Sequence, residues 1–101
     1  MKFISTLFIL LLAVAIFSCR KLALVAFEPS TFTLGVGDTV FFTNSSKNAA
    51  TYLWEFGDGT ESEEESPYHT YDTLGVFTVK LTAISEGGGA KHTRTEDLIV
   101  E

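Results

Sequence analysis

The side chains of this 101-residue chain that could carry chemistry are two histidines, one cysteine and thirteen acidic residues. Hydrolysis by acyl transfer needs a nucleophile, a base and an orienting acid within reach of one another. His69 has no nucleophile to accompany it and fits a structural hydrogen-bonding role, whereas His92 lies between Lys91 and Thr93 on a segment that looks solvated. We therefore expect no catalytic residues and no enzymatic activity.

The acidic residues also argue against two other kinds of site. Glycoside hydrolysis needs two carboxylates on opposite sides of a cleft, but the clustered glutamates occupy a single loop: Glu61, Glu63, Glu64 and Glu65. Calcium takes about six to eight oxygen ligands, and no D-x-D-x-D-G loop contains Asp38, Asp58 or Asp72. Zinc would have too few ligands. We interpret the glutamates as a solvated acidic face and predict no metal site.

Composition sets the remaining bounds. Seven basic and thirteen acidic residues give a formal net charge of −6, and phosphate binding needs clustered Lys and Arg, so we expect no nucleic-acid partner. A chain of this length allows one domain. A single cysteine cannot form an internal disulfide.

The first eighteen residues have the pattern of a secretory signal. Lys2 precedes an apolar run from Phe3 to Phe17, which is shorter than the about 20 residues that a membrane-spanning helix needs. A permanent N-terminal anchor helix is the alternative that this length disfavours. We therefore expect the protein to be exported.

The end of this run, Ile16-Phe17-Ser18-Cys19, resembles the lipobox of bacterial lipoproteins. In such proteins a small residue precedes a cysteine whose sulfur carries diacylglycerol. Ser18 fits, while Phe17 stands where a small residue is usual. The resemblance implies a signal peptide at residues 1–18, cleavage before Cys19, and a lipidated cysteine and short linker at residues 19–25.

Two neighbouring features bear on this interpretation. Ala13-Val14-Ala15 is a competing A-x-A site for the ordinary signal peptidase, but cleavage there would leave Cys19 as an unpaired thiol in an exported protein. Arg20 is not the aspartate that resembles an inner-membrane retention signal in some bacteria. The expected location is therefore the bacterial outer membrane, with Cys19 as the lipid anchor.

From Leu24 onward the chain alternates short runs rich in Val, Phe, Tyr and Thr with Gly, Asp, Asn, Ser and Pro. Large rings at positions 52, 54 and 56 share one face by the two-residue period of a strand. Between Val76 and Ser85 the pattern puts Phe77, Val79, Leu81 and Ala83 inward and Thr78, Lys80 and Thr82 outward. These runs predict an antiparallel β-sandwich, and its expected core comprises Val40, Phe42, Trp54, Phe56, Phe77, Val79, Leu81, Leu98 and Val100.

The segment from Tyr52 to Gly59, YLWEFGDG, closely resembles the Y-x-W-x-F-G-D-G hallmark of PKD (polycystic kidney disease) domains. Residues 36–42 match V-G-D-x-V-x-F, residues 67–71 match P-x-H-x-Y, and residues 75–82 match G-x-Y-x-V-x-L-x with Phe77 in place of Tyr. This resemblance implies an all-β, immunoglobulin-like antiparallel β-sandwich of about seven strands at residues 26–101.

The PKD motif residues have structural reasons that need no further function. Rings between two sheets are core, glycines permit backbone angles that a Cβ forbids, and an aspartate can hydrogen-bond the amides of its own turn. Tyr71 is expected to bond its hydroxyl to the backbone, as a tyrosine corner does. We therefore interpret the following residues as scaffold: Tyr52, Trp54, Phe56, Gly57, Asp58, Gly59, His69, Tyr71 and Gly75.

Function is expected to reside on exposed surfaces of a non-catalytic, lipid-anchored envelope protein that contacts proteins or glycans. The family resemblance suggests glycan binding, for which Phe41 and Tyr68 are the candidate exposed rings. It also allows calcium binding, against which the motif search above argues, so no cofactor is expected. Two alternatives stay open: a carbohydrate-binding accessory module of a partner enzyme, and a structural subunit of an envelope complex.

Overall fold

The computed structural model describes residues 24–101, so the predicted signal peptide, Cys19 and most of the predicted linker lie outside the described part. A 3₁₀ turn at Glu86–Gly88 joins the last two strands. In residues 24–101 no helix has the length and apolar character needed to span a membrane. The strands are β1 (Phe27–Pro29), β2 (Thr33–Leu34), β3 (Thr39–Asn44), β4 (Thr51–Glu55), β5 (Glu61–Ser62), β6 (Tyr68–Thr70), β7 (Gly75–Ile84) and β8 (Lys91–Val100).

These strands form two sheets, one in the order β1-β3-β6 and one in the order β2-β8-β7-β4-β5. The predicted all-β, immunoglobulin-like sandwich is confirmed. Its described part has eight strands rather than about seven, and β2 runs parallel to β8, with Thr33 opposite Ile99. The chain changes sheets between β1 and β2, after Ser30, whose amide still donates to the Phe41 carbonyl of β3 at 2.8 Å.

Alternation along the strands separates the core from the outer faces. In β3, Val40 and Phe42 are buried while Phe41 between them is exposed. The hairpin of β7 and β8 pairs ten residues on each strand, from Gly75 opposite Val100 to Ile84 opposite Lys91. The two-residue period therefore decides which side chains meet inside the sandwich.

The core agrees with the sequence expectation except at two positions in β7. Phe77 is only half-buried and packs against the core beside Tyr71. Thr82 belongs to the outer face but is only 8% exposed, because Leu53 and Thr93 lie opposite it on either side in the middle of the sheet. Ala83 is buried, as the alternation in β7 predicted, and three further residues outside the expected core are buried as well: Phe27, Leu34 and Tyr71.

Trp54 lies at the centre of the core and has no exposed surface. Phe27 and Phe42, both from the three-stranded sheet, contact it with ring centroids 4.9 and 5.2 Å away. The indole Nε1–H donates a hydrogen bond of 2.9 Å to the backbone carbonyl of Glu64. The ring thus fills the space between the sheets while its polar atom is satisfied, as burial requires.

Gly57 follows β4 at a point where two backbones nearly touch. A Cβ built on it would lie 2.7 Å from the carbonyl oxygen of Thr78 in β7. Its φ of 87° is also in the left-handed region that favours glycine. Gly59 has a similar φ of 92° but nothing within 4 Å of a built Cβ.

These two glycines give a matched pair of substitutions. Gly59→Ala should cost about 1–2 kcal/mol of unfolding free energy, the usual cost of a left-handed alanine. Gly57→Ala should cost about 1–3 kcal/mol more, because its methyl group must displace the Thr78 backbone. Urea denaturation of both variants measures the difference. Equal losses would contradict the close approach of Gly57 to β7.

Candidate functional site

Four side chains connect the two sheets at the end of the sandwich where β4 finishes. The His69 imidazole stacks on the Phe56 ring at a centroid distance of 4.1 Å, and Tyr71 meets the imidazole edge-on at 4.7 Å. His69 Nε2 lies 2.7 Å from Asp58 Oδ2, and the Tyr71 hydroxyl donates a 2.7 Å hydrogen bond to the Phe56 carbonyl. We call Phe56, Asp58, His69 and Tyr71 the inter-sheet clasp.

Strand register brings the clasp together. His69 pairs with the buried Val40 of β3, so its side chain points inward. Asp58 lies in the turn after β4, where the Thr60 amide donates a hydrogen bond of 3.1 Å to Oδ1 and the Thr60 hydroxyl donates to the same oxygen. The turn therefore aims the other carboxylate oxygen across the sandwich at the imidazole.

Two groups in the clasp have shifted pKa values. Partial burial opposes ionisation of Asp58, but hydrogen bonds from Thr60 and His69 outweigh it and lower the pKa of this carboxyl group. Burial, together with the neighbouring Asp58 carboxylate, raises the pKa of the Tyr71 phenol. The carboxylate thus stays ionised, and the phenol stays protonated and able to donate to the backbone.

The clasp does not have the geometry of a hydrolytic triad. In such a triad one imidazole nitrogen faces the nucleophile while the other is held by the acid. Here the Thr60 hydroxyl, 3.3 Å away, and the Asp58 carboxylate both face Nε2 of His69. The Thr60 hydroxyl also donates to Asp58, so the imidazole is not placed to take its proton. The arrangement fits a structural hydrogen-bond network.

The other motif residues surround the clasp or the indole. Tyr52 packs half-buried against the core beside Trp54 in β4. Gly57 and Gly59 flank Asp58 in its turn, and Gly75 begins β7 opposite Val100. Cys19 lies outside the described residues, and its lipidation stays a prediction.

Acidic residues in the described part are dispersed over separate turns and strands. The Asp38 carboxylate accepts the Gly35 amide at 2.9 Å within its own turn, and Glu61, Glu63, Glu64 and Glu65 are exposed. Among residues 24–101, no three His, Cys, Asp or Glu side chains are arranged to hold a metal ion. His92 is exposed on β8.

Phe41 and Tyr68, the candidate rings for glycan contact, lie side by side on the outer face of the three-stranded sheet. They are register partners in β3 and β6, with ring centroids 6.0 Å apart and planes inclined by 51°. Phe41 is 58% and Tyr68 is 67% exposed. The hydroxyls of Thr39 and Thr70, the next outer pair of the same two strands, are 3.1 Å apart. We call Phe41 and Tyr68 the outer aromatic pair.

Sequence reasoning identified every member of the clasp and predicted the hydrogen bond from the Tyr71 hydroxyl to the backbone, which the structure confirms, but it did not give the contact between Asp58 and His69. Asp58 and His69 belong to two different blocks of the family pattern, eleven residues apart. Nothing in either block alone gives the distance between them, because it depends on how the two sheets stack. The hydrogen bond from Trp54 to the Glu64 backbone was missed for the same reason.

The lowered pKa of Asp58 predicts a dependence of stability on pH. Because its pKa is lower in the folded than in the unfolded chain, the stabilisation is present above the unfolded value, near 3.8, and is lost as pH falls through the folded value. The excess stability of the wild type over Asp58→Asn should therefore be constant near neutral pH and shrink in acid. Urea denaturation from pH 7 to about pH 3 tests this.

Asp72→Asn, in the exposed turn before β7, is the control for the loss of one carboxylate. A gap between wild type and Asp58→Asn that stays the same in acid would contradict the proposed role of the ionised Asp58.

Comparison with known proteins identifies the family. Residues 30–100 match the family model described as PKD domain. Collagenase ColA of Bacillus cereus is 44% identical over 45 residues, which are 45% of this chain and 5% of the collagenase. The chain thus spans only about a twentieth of the length of that relative.

Solved structures give the same answer. The PKD1 domain of the Vibrio cholerae metalloprotease PrtV superposes with a TM-score of 0.69 at 28% identity, covering 80% of this chain and 99% of that domain. A structure of carbohydrate-binding modules with promiscuous specificity, from the β-sandwich superfamily, has a TM-score of 0.72 at 25% identity, covering 79% of this chain and 34% of that one. The model match spans well over half of the sequence, and the chain belongs to the PKD domain family.

Proposed function

We propose that this protein is a non-catalytic, lipid-anchored PKD protein of the bacterial envelope that contacts a polysaccharide through the outer aromatic pair. The observation that carries the proposal is the adjacency of Phe41 and Tyr68 on an open sheet face. Single exposed apolar side chains are normal on protein surfaces, but two register-paired rings form a continuous apolar platform.

The chemistry of this face suits a sugar polymer. Aromatic faces offer flat apolar area to the C–H faces of a pyranose ring, as amphipathic rings do at other binding surfaces. The Thr39 and Thr70 hydroxyls beside the platform can donate or accept hydrogen bonds. Asp58 and His69 are engaged with each other in the clasp. In this proposal the protein binds the polysaccharide and does not catalyse a reaction on it.

A second candidate function is that of a carbohydrate-binding accessory module for a partner enzyme. It is supported by the relatives, since the matched stretches form small parts of a collagenase and of the metalloprotease PrtV. It is supported also by the likeness to the structure of carbohydrate-binding modules. Both candidates use the same surface. Co-purification of an enzyme with the tagged protein would favour the accessory role, whereas a fixed non-enzymatic partner would favour a structural subunit of an envelope complex.

Substitution of the two rings tests the binding surface. Phe41→Ala and Tyr68→Ala should each weaken polysaccharide binding about fivefold or more, as loss of a central contact of over roughly 1 kcal/mol does. Affinity electrophoresis in gels containing a panel of soluble polysaccharides measures the effect. Val76→Ala, on the opposite sheet and 65% exposed, is the control that should bind like the wild type.

Two results would overturn the glycan proposal. One is that a polysaccharide still retards the variant in which both Phe41 and Tyr68 are replaced by alanine. The other is a panel in which no polysaccharide retards the wild type, while crosslinking in cells recovers a protein partner through the same face.

Replacement of the cysteine tests the anchor. The wild type should incorporate a labelled fatty acid and Cys19→Ser should not, because the thioether requires sulfur. The intact mass of the wild type also separates the alternatives. A free thiol with an N-terminus at residue 16 would indicate ordinary signal peptidase, and an uncleaved, membrane-bound chain would indicate an anchor helix.

A further inference from the structure

β8 leaves most of its outer edge without a neighbouring strand. β2 pairs with β8 only at Ile99 and Val100, so within the described residues the edge from Lys91 to Asp97 has no strand beside it. An edge strand of this length is a template for pairing with another chain. Seven consecutive residues are therefore available for a strand from outside the domain.

The orientation of the backbone groups along this edge can be read from its paired end. The Ile99 amide donates to the Phe32 carbonyl at 2.9 Å, and the Glu101 amide donates to the Leu34 carbonyl at 3.0 Å. Both amides point away from β7. Because backbone groups alternate between the two sides of a strand, the N–H and C=O groups that point outward farther along are those of Lys91, Thr93, Thr95 and Asp97.

The charges along the edge are arranged by sign around its middle residue. Lys91 and His92 precede Arg94, and Glu96 and Asp97 follow it, with Thr93 and Thr95 on either side of the centre. Rotating the segment half a turn about Arg94 therefore places Lys91 opposite Asp97, His92 opposite Glu96 and Thr93 opposite Thr95. The segment is complementary to itself when it runs antiparallel.

We propose that β8 pairs antiparallel with β8 of a second copy of this chain, centred on Arg94, to join two five-stranded sheets into one. In this register the residues whose backbone groups point outward face each other, namely Lys91 with Asp97 and Thr93 with Thr95. A shift by one residue would set outward-pointing groups against groups that already bond to β7. The register that matches the charges is thus one that allows backbone hydrogen bonding.

Both ends of the free edge fit the length of the pairing. Beyond Asp97 the edge is occupied by β2, and before Lys91 the strand ends in the 3₁₀ turn at Glu86–Gly88. In the dimer, the 3₁₀ turn of one copy lies next to the start of β2 in the other copy. The second β8 strand therefore ends before it would overlap with β2.

Charged side chains on edge strands often serve to prevent pairing. Whether the charges of β8 prevent or favour pairing depends on how they are arranged. Like charges directly opposite each other destabilise a pair of strands, whereas here antiparallel pairing sets Lys91 opposite Asp97 at both ends. Only Arg94 would lie opposite a residue of the same charge, namely Arg94 of the second copy. Its guanidinium lies 3.4 Å from the Glu96 carboxylate of the same chain, which offsets part of that repulsion.

The pairing of two β8 strands goes beyond the proposed function, and it leaves the outer aromatic pair of each copy exposed. A twofold axis between antiparallel strands of one sheet is perpendicular to that sheet, so both three-stranded sheets lie on the same side of the dimer. The two outer aromatic pairs would face the same way. A polymer that spans both could then be held by two contacts at once, with the gain in avidity that linked sites give.

Disulfide trapping tests the register. All variants are full-length and carry Cys19→Ser, so that the engineered cysteine is the only thiol. Arg94→Cys should form a disulfide-linked dimer under mild oxidation, because Cα atoms of a directly opposite, non-hydrogen-bonded pair lie about 4.5 Å apart, within the disulfide range.

His92→Cys is the matched control, since its two copies would lie about 14 Å apart at about 3.4 Å per residue. Mixing His92→Cys with Glu96→Cys should restore crosslinking.

Charge reversal tests the forces by sedimentation of proteins with Cys19→Ser and no added cysteine. Lys91→Asp should weaken self-association several-fold while leaving the hydrogen bond from Thr78 to Asp97 intact. Adding Asp97→Lys to it should restore association, because the pair is rebuilt with its charges exchanged. The proposal is overturned by a Cys19→Ser parent protein that stays monomeric at millimolar concentration, by equal crosslinking of Arg94→Cys and His92→Cys, or by a double reversal that associates no better than the single one.

Discussion

The structure depends on the burial of one indole between two sheets. With a single cysteine the chain has no internal disulfide, and a domain of this size buries a smaller share of its surface than a larger one does. Trp54 therefore has a disproportionate role: it contacts Phe27 and Phe42 of the opposite sheet and bonds to the Glu64 backbone. Strands from both sheets and the acidic loop are thereby fixed around one side chain.

The inter-sheet clasp extends this packing to the end of the sandwich, and its contacts give the motif residues a structural role. Stacking, an imidazole–carboxylate hydrogen bond and a phenol–carbonyl hydrogen bond occupy the groups that a catalyst would need free. A buried polar network is stabilising only when its members are all satisfied. The surfaces proposed for interaction with other molecules lie outside the clasp, where Phe41 and Tyr68 are exposed and β8 has an open edge.

Local patterns predicted the fold well, and long-range contacts were the part they could not give. Alternation identified the buried residues of β3 and β8 and most of those in β7, because strand faces follow a period of two. The parallel pairing of β2 with β8 was missed, since Thr33 and Leu34 are too few to show a pattern and their partner lies at the other end of the chain. The burial of Thr82 was not predicted, because it results from the strands on either side of Thr82 and not from the residue type.

The close approach of Gly57 to β7 divides the sandwich into an end that tolerates change and an end that does not. A side chain there meets the Thr78 carbonyl, so the clasp end leaves little room for insertions or new residues. The opposite end carries the exposed loop 86–89, away from the indole and the clasp. Foreign peptides grafted for display, or loops lengthened during evolution, would be accommodated at that pole, where variation leaves the packing around Trp54 untouched.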